Sequence, residues 1–318
     1  MKVITFNDIC NLNISFETCY QWAEEIIKNK KEVLLPPKIS IKPEDGVFCN
    51  VMPSIMNHEA YGRIGGVKIV TRYPERKPSL DGKLLLFNAG NGDFLAVMDA
   101  NWITAMRTGA VAAHSIKLLA KKDFKEIGIL GLGNTARATL LILAAVMPDR
   151  EFHIKLLKYK GQERSFAERF DKFDKLRFDY VDTAEELVKE SDVVISAATY
   201  LPTDLCADEY FDEGVLVVPI HTLGFTNCDL FFDKIYADDY GHVCHFKNFS
   251  KFKKFAEVSD IVNGTVAGRE SDKERILAYN IGISAQDVYF ASKIYELATE
   301  KMVLDEIDLQ EPAEKFWI

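Results

Sequence analysis

The residues best suited to do chemistry in this chain are a glycine pair and a few cations set among apolar neighbours. In residues 125–136, KEIGILGLGNTA, an apolar run closes on Gly131-Leu132-Gly133 and continues into residues that read as helix, beginning Asn134-Thr135-Ala136. This is the layout of a dinucleotide diphosphate site. The first glycine permits a tight turn after a strand, the second lets backbone approach the phosphates, and Ala136 takes the place of the third small residue, where helix and strand pack closely. Free amides at the helix start, with the macrodipole behind them, then face the diphosphate. Glycine turns of this kind also join strands to helices without any ligand, so the reading rests on its context.

Three cations stand in apolar or small-residue surroundings: Lys38 at the end of LLPPK, Lys68 in GGVKIV and Arg107 in TAMRTGA. A lysine inside a strand pattern such as Gly66-Val67-Lys68-Ile69-Val70 ordinarily points to solvent. Arg107 is the stronger signal, because residues 104–113 read as the first turns of a helix lined with small side chains, which leaves a guanidinium little but a ligand to pair with. The six cysteines, at 10, 19, 49, 206, 228 and 244, form no CxxC pair and read as reduced thiols. His242, Cys244 and His245 crowd together, but their spacing does not supply the further ligands a metal needs, so no metal site is expected.

The elements that must position these groups follow from periodicity. Apolar, β-rich segments at 152–157, 178–181, 192–197, 215–220 and 234–237 alternate with amphipathic stretches such as 184–189. Alternation of this kind implies an α/β fold with a Rossmann-type, doubly wound parallel sheet, whose ligand crevice lies outside the carboxyl ends of the strands. That rule gathers residues 131–136, Lys158 to Lys160, Ala198-Thr199 and 220–224 around one ligand. The N-terminal third lacks this pattern and must supply chemistry of another kind.

At 318 residues and 48% hydrophobic content the chain is long enough for two domains, and no apolar stretch reaches the ~20 residues of a membrane span. The start, MKVITFNDIC, carries no basic region followed by an apolar signal core, so a cytoplasmic location is expected. A net charge of -9 argues against nucleic-acid binding. One basic run, FKNFSKFKKF at 246–255, reads as a partly buried helix or loop with a solvated basic side.

At these residues the chain resembles the ornithine cyclodeaminase and μ-crystallin family. The resemblance runs nearly end to end: LPPK, NVMPS at 50–54, GGVKIV, TAMRTGA, GLGNTA, SDVVISAAT at 191–199, NGTVAGR and NIGISAQDVYFASKIYELA. It implies a homodimer in which residues 1–121 with 284–318 form an α+β substrate-binding and dimerisation domain, and residues 122–283 the dinucleotide domain. It further implies a small amino or imino acid as substrate, with hydride exchanged between its α-carbon and a nicotinamide. Arg107 is then the bidentate carboxylate clamp, and Lys38 stands where relatives usually carry arginine. Lys68 matches the active-site lysine that polarises the substrate or relays a proton, a task for which burial or the neighbouring cations Arg107 and Lys38 would lower its pKa. Thr108 and Gly282 complete a cofactor set of Gly131, Gly133, Asn134, Thr135, Ala136, Lys158, Lys160 and Thr199.

Two departures refine what the resemblance implies. Cyclodeaminases carry an aspartate in the loop after the fifth strand of the nucleotide domain, whereas Pro219-Ile220-His221-Thr222-Leu223-Gly224-Phe225 holds no carboxylate before Asp229, leaving His221 as a substitute proton carrier. At the end of the second strand, where an acid would bind the ribose hydroxyls of NAD, the chain has Lys158-Tyr159-Lys160 with Arg164 following, which favours NADP(H) over NAD(H). The function expected is that of a ketimine reductase or amino-acid dehydrogenase. Ornithine cyclodeaminase, an opine-type condensing reductase and a non-catalytic NADPH-binding protein are the alternatives.

Overall fold

Period-two alternation of side chains runs through residues 48–99 and produces four long strands, while the second half of the chain turns to apolar runs buried on both faces. In the computed structural model, which describes residues 1–221, 225 and 231–309, these two patterns fall into separate units. One comprises Met1–Ile14, Glu32–Ile103 and the described residues from Asp287 on; the other comprises Ser15–Lys31 and Thr104–Gln286.

The first unit holds β1 (Lys2–Ile4), α1 (Phe6–Asn11), β2 (Ile39–Ile41), β3 (Phe48–His58), β4 (Gly62–Arg72), β5 (Leu80–Asn88) and β6 (Phe94–Asp99). They form one sheet in the order β1-β6-β5-β4-β3-β2, antiparallel except for the β1 and β6 pair. In β4 the buried side is Ile64, Gly66, Lys68 and Val70, whereas Ile69 is exposed. Lys68 lies opposite Met52 on one neighbour and Leu84 on the other, and Leu84 lies opposite Met98, so the lysine sits in an apolar row four strands wide. The expectation that this lysine points to solvent is therefore corrected. The two faces of a strand are set by a one-residue step, and Lys68 shares its parity with Ile64 and Val70, not with Ile69.

The second unit carries α2 (Phe16–Lys28) and, from Thr104, most of α3 (Asn101–Leu119). After these come β7 (Glu126–Leu130), α4 (Asn134–Val146), β8 (Phe152–Leu157), α5 (Gln162–Ala167), β9 (Leu176–Val181), α6 (Ala184–Val188), β10 (Val193–Ser196), β11 (Leu216–Pro219), β12 (Lys234–Ala237), α7 (Tyr240–Val243), β13 (Phe255–Glu257), α8 (Val258–Val262) and β14 (Ile276–Tyr279). The sheet is parallel throughout, in the order β13-β12-β14-β11-β10-β7-β8-β9. Its central strands are wholly buried, as expected of a parallel sheet covered on both faces. Gly109 on α3 lets that helix approach α4 closely: a Cβ there would lie 2.6 Å from Ala138.

The five strands expected from sequence are present: β8 and β12 have the expected ends, and β9, β10 and β11 have ends shifted by one or two residues. β13 and β14 were not anticipated, being three and four residues long, and β14 inserts between β11 and β12. Across 246–255 the chain makes a short 3₁₀ turn, Phe249–Lys251, with Phe246, Phe249, Phe252 and Phe255 packed on the core and Lys251, Lys253 and Lys254 exposed. The helix α9 (Ser284–Lys301) closes the described chain, and no described helix is long and apolar enough to cross a membrane.

Candidate active site

The glycine turn is built as the phosphate motif requires. Gly131, directly after β7, has φ +80°, and a Cβ on it would overlap the backbone of Ala197 and Ala198 after β10. Only glycine permits both that conformation and that approach. β7 and β10 are neighbours on either side of the point where strand order reverses, which is where doubly wound sheets bind nucleotides. Gly133 is the opposite case: it is the N-cap of α4, no side chain caps that helix, and a Cβ on it would meet nothing within 4 Å. Asn134 is exposed and Ala136 fully buried, so amides open to one side and packing closes the other. A dinucleotide diphosphate fits this cradle, and Gly131, Gly133, Asn134, Thr135 and Ala136 are the residues that could hold it.

The other segments lie at carboxyl ends of the same sheet. Thr199, exposed, follows β10, and half-buried His221 follows β11. Residues 222–224 and Asp229, the remainder of the loop read from sequence, lie outside the described residues. Lys158 follows β8 and holds both oxygens of Asp182, just beyond β9, at 2.9 and 2.8 Å, with both side chains largely in solvent. Lys160 takes a left-handed φ of +52° and sets its ammonium 5.0 Å from the Tyr159 ring centroid.

Arg107 is buried on α3, and the protein itself supplies it with a partner. Its guanidinium donates to Gln286 Oε1 at 3.3 Å and lies close against Gly282, where a Cβ would overlap it. Gly282 has φ +81°, so this position combines a left-handed conformation with a close approach. Thr108, the next residue, spends its hydroxyl on the Thr104 carbonyl at 2.5 Å.

Lys68 donates to Asp287 Oδ1 at 2.7 Å, and neither side chain is exposed. An ion pair this close favours the proton-bearing ammonium. Sequence reasoning placed only cations beside Lys68, and the acid was missed because GISAQD reads as an ordinary helix start, where acids serve the helix dipole. The available signal was that Gln286 and Asp287 interrupt an otherwise small and apolar approach to α9. Lys38 is half-buried just before β2. His242 donates to or accepts from Asp239 through Nδ1 at 2.6 Å, and among the described residues no group of His, Cys, Asp and Glu is arranged to hold a metal. The described cysteines, Cys10, Cys19, Cys49, Cys206 and Cys244, are unbridged thiols.

A nucleotide cradle at the switch point of a parallel sheet, with a buried lysine and a buried arginine elsewhere in the chain, defines the class as a dinucleotide-dependent oxidoreductase. Residues 2–302 match the model of the Ornithine cyclodeaminase/mu-crystallin family. The nodulation efficiency protein NfeD of Rhizobium meliloti is 28% identical over 316 residues, spanning 94% of this chain and 96% of its own. A Delta(1)-pyrroline-2-carboxylate reductase of Bacillus cereus is 28% identical over 282 residues, 81% of this chain and 84% of the relative. The Thermococcus litoralis Delta(1)-pyrroline-2-carboxylate reductase, solved with NADH and L-proline, superposes with a TM-score of 0.84 at 26% identity, covering 96% of this chain and all of that one. The chain belongs to the ornithine cyclodeaminase/μ-crystallin family and is an NAD(P)-dependent oxidoreductase.

Proposed function

We propose that this enzyme reduces a small cyclic imino acid of the pyrroline-2-carboxylate type to the corresponding amino acid. The observation that carries the reading is the Lys68 and Asp287 pair, buried in an otherwise apolar row. A bound nicotinamide dinucleotide supplies the hydride to the imine carbon. Lys68, kept as an ammonium by Asp287, gives its proton to the imine nitrogen as the C=N bond becomes a single bond, and is reprotonated from solvent. Arg107 binds the substrate carboxylate through its planar fork, with Lys38 adding a point charge, and so fixes the α-carbon.

The same surroundings argue against ornithine. A distal ammonium needs an acid partner, but the side chains in register with Lys68 are Met52, Leu84 and Met98, Asp287 is engaged by the lysine, and residues 219–225 contain no carboxylate. His221, half-buried after β11, is the alternative proton carrier. The substrate-binding and dimerisation role belongs to residues 1–121 with 284–318, and nucleotide binding to 122–283.

NADP(H) is the preferred cofactor in this reading. Exposed ion pairs such as Lys158 with Asp182 contribute about 0–1 kcal/mol, whereas a charge-assisted bond to a phosphate contributes roughly 1.5–3 kcal/mol. Lys158 therefore exchanges its acid for a 2′-phosphate at little cost, and Lys160 adds to the field.

The other face of the first unit's sheet supports a homodimer. Pro53, Val67, Leu85 and Val97 stand in register across four strands, flanked by Val51 and Ile69, with Ile39, Ile41 and Ile69 exposed. An apolar sheet face of this extent calls for a second copy to cover it.

A panel assay following NADPH absorbance with pyrroline-2-carboxylate, piperideine-2-carboxylate, pyruvate plus amines, and ornithine tests the substrate class. Turnover of the two cyclic imines is expected. Ammonia release from ornithine with neither imine reduced would overturn the reading.

A further inference from the structure

We infer that Asp238 is a positioning residue for the carboxylate clamp, acting on Arg107 through the backbone of Gly282; this rests on Arg107 being that clamp. Asp238 follows β12, is buried, and its Oδ2 accepts the Gly282 amide at 2.6 Å. Gly282 in turn presses on the guanidinium so closely that no Cβ fits between them. The acid thus sets the height of the surface on which the guanidinium lies.

Asp238 is itself anchored from both sides. Its own amide donates to the Tyr279 carbonyl at the end of β14, at 3.1 Å. Its neighbour Asp239 binds the buried Lys30 ammonium at 2.7 Å, and Glu257 binds the same ammonium at 2.6 Å. The loop bearing Gly282 is tied down before it reaches the arginine, since the Asn280 amide donates to the Pro219 carbonyl at 2.8 Å and the Ser115 hydroxyl to Asn280 Oδ1 at 2.9 Å. Asp238, Lys30 and Gln286 also line one small cavity of about 10 Å³ whose other walls are mainly apolar, among them Ile26, Val111 and Ile283, so the acid that fixes Gly282 and the amide that accepts from Arg107 face the same space.

A buried charge is costly unless it is fully used, and a single amide could be satisfied by a neutral acceptor. Here the acceptor is held by a short side chain on a fixed strand end, 2.6 Å from the Gly282 amide, which stiffens the loop. A guanidinium displaced by a few tenths of an ångström loses one arm of a two-armed bond to a carboxylate. The loss appears in binding of carboxylates and leaves dinucleotide binding alone.

The test uses calorimetry on the NADPH-saturated protein with pyrrole-2-carboxylate, a planar carboxylate without a reducible C=N bond, and pyrrole-2-carboxamide as its neutral counterpart. Asp238→Ala is expected to weaken the carboxylate about 5- to 30-fold, as for loss of one charged hydrogen bond, with the carboxamide and NADPH changed less than about 2-fold. Asp238→Asn, which keeps an acceptor, should recover most of that loss. In an Arg107→Ala background, Asp238→Ala should add nothing beyond about 2-fold. Gly282→Ala tests the same link should Asp238→Ala fail to fold, and should weaken the carboxylate more than the carboxamide. Full additivity with Arg107→Ala, or equal weakening of carboxylate and carboxamide, overturns the inference about Asp238 alone. If Arg107→Ala leaves the carboxylate as tightly bound as in the wild type, the clamp reading itself falls, and with it this inference.

Discussion

In the apolar row across the first unit's sheet, the ammonium of Lys68 is balanced by the carboxylate of Asp287 at 2.7 Å. Lys68 was conspicuous in GGVKIV, yet its partner Asp287 lies 219 positions away. Nothing local in the sequence pairs them, because the contact is created when α9 crosses β4, where Gly66 lets Val288 approach. The consequence is testable at that residue. Asp287→Ala should destabilise the fold by about 3–5 kcal/mol, the cost of leaving a buried charge alone, seen as a large fall in Tm. Asp287→Asn should fold better and lower kcat for the imine with little change in NADPH affinity. Arg107 shows the same limit: the small residues around it were legible, whereas Gln286 and Gly282 come from the far end of the chain. Cofactor choice is also decided by single residues. Removing the competitor for Lys158 in Asp182→Ala should tighten NADPH relative to NADH, Lys158→Asp should reverse the preference, and both effects should shrink as salt rises. Titration of each cofactor measures this directly, and wild-type preference for NADH would contradict it.

At the scale of elements, the nucleotide turn was legible because its chemistry is local. Strand, glycines and helix start are contiguous, with Gly131 left-handed and tight against Ala197 and Ala198 and Gly133 opening on free space at the helix start. The strand anchors were less visible. Asp192, at the start of β10, accepts the amides of Lys125 and Glu126 at 2.7 and 3.1 Å and pairs with Lys121 at 2.6 Å, fixing the entry to β7. Burial alone would raise its pKa, but the Lys121 ammonium and the two amides outweigh that and hold the carboxyl below its ordinary value. Its contribution to stability is therefore complete above the unfolded value of about 3.9 and is lost as pH falls through the lower folded value. Thermal unfolding against pH should show this acid limb in the wild type and a weaker one in Asp192→Ala, whose Tm at neutral pH should fall by the equivalent of roughly 1–3 kcal/mol. Short strands such as β13 and β14 escaped notice because segments of three or four residues, one of them containing Glu257, carry too little periodicity to be read reliably as strand.

At the scale of the whole molecule, alternating strands and helices announced the parallel sheet, while the first unit's sheet, with one face buried and the other apolar as well, gave a weaker pattern. That second apolar face is the copy-to-copy surface of the proposed dimer. Val67→Glu with Leu85→Arg should convert a dimer into monomers or aggregates by light scattering, and an unchanged mass would remove the assignment. The central claim is that a buried, acid-held lysine protonates the nitrogen of a cyclic imine during reduction, and Lys68→Met tests it most directly by keeping approximate length and removing the proton. With pyrroline-2-carboxylate and saturating NADPH, kcat should fall about 10²- to 10⁴-fold while the Kd for NADPH stays at its wild-type value. Near-normal turnover by Lys68→Met would contradict the account and move the proton to His221.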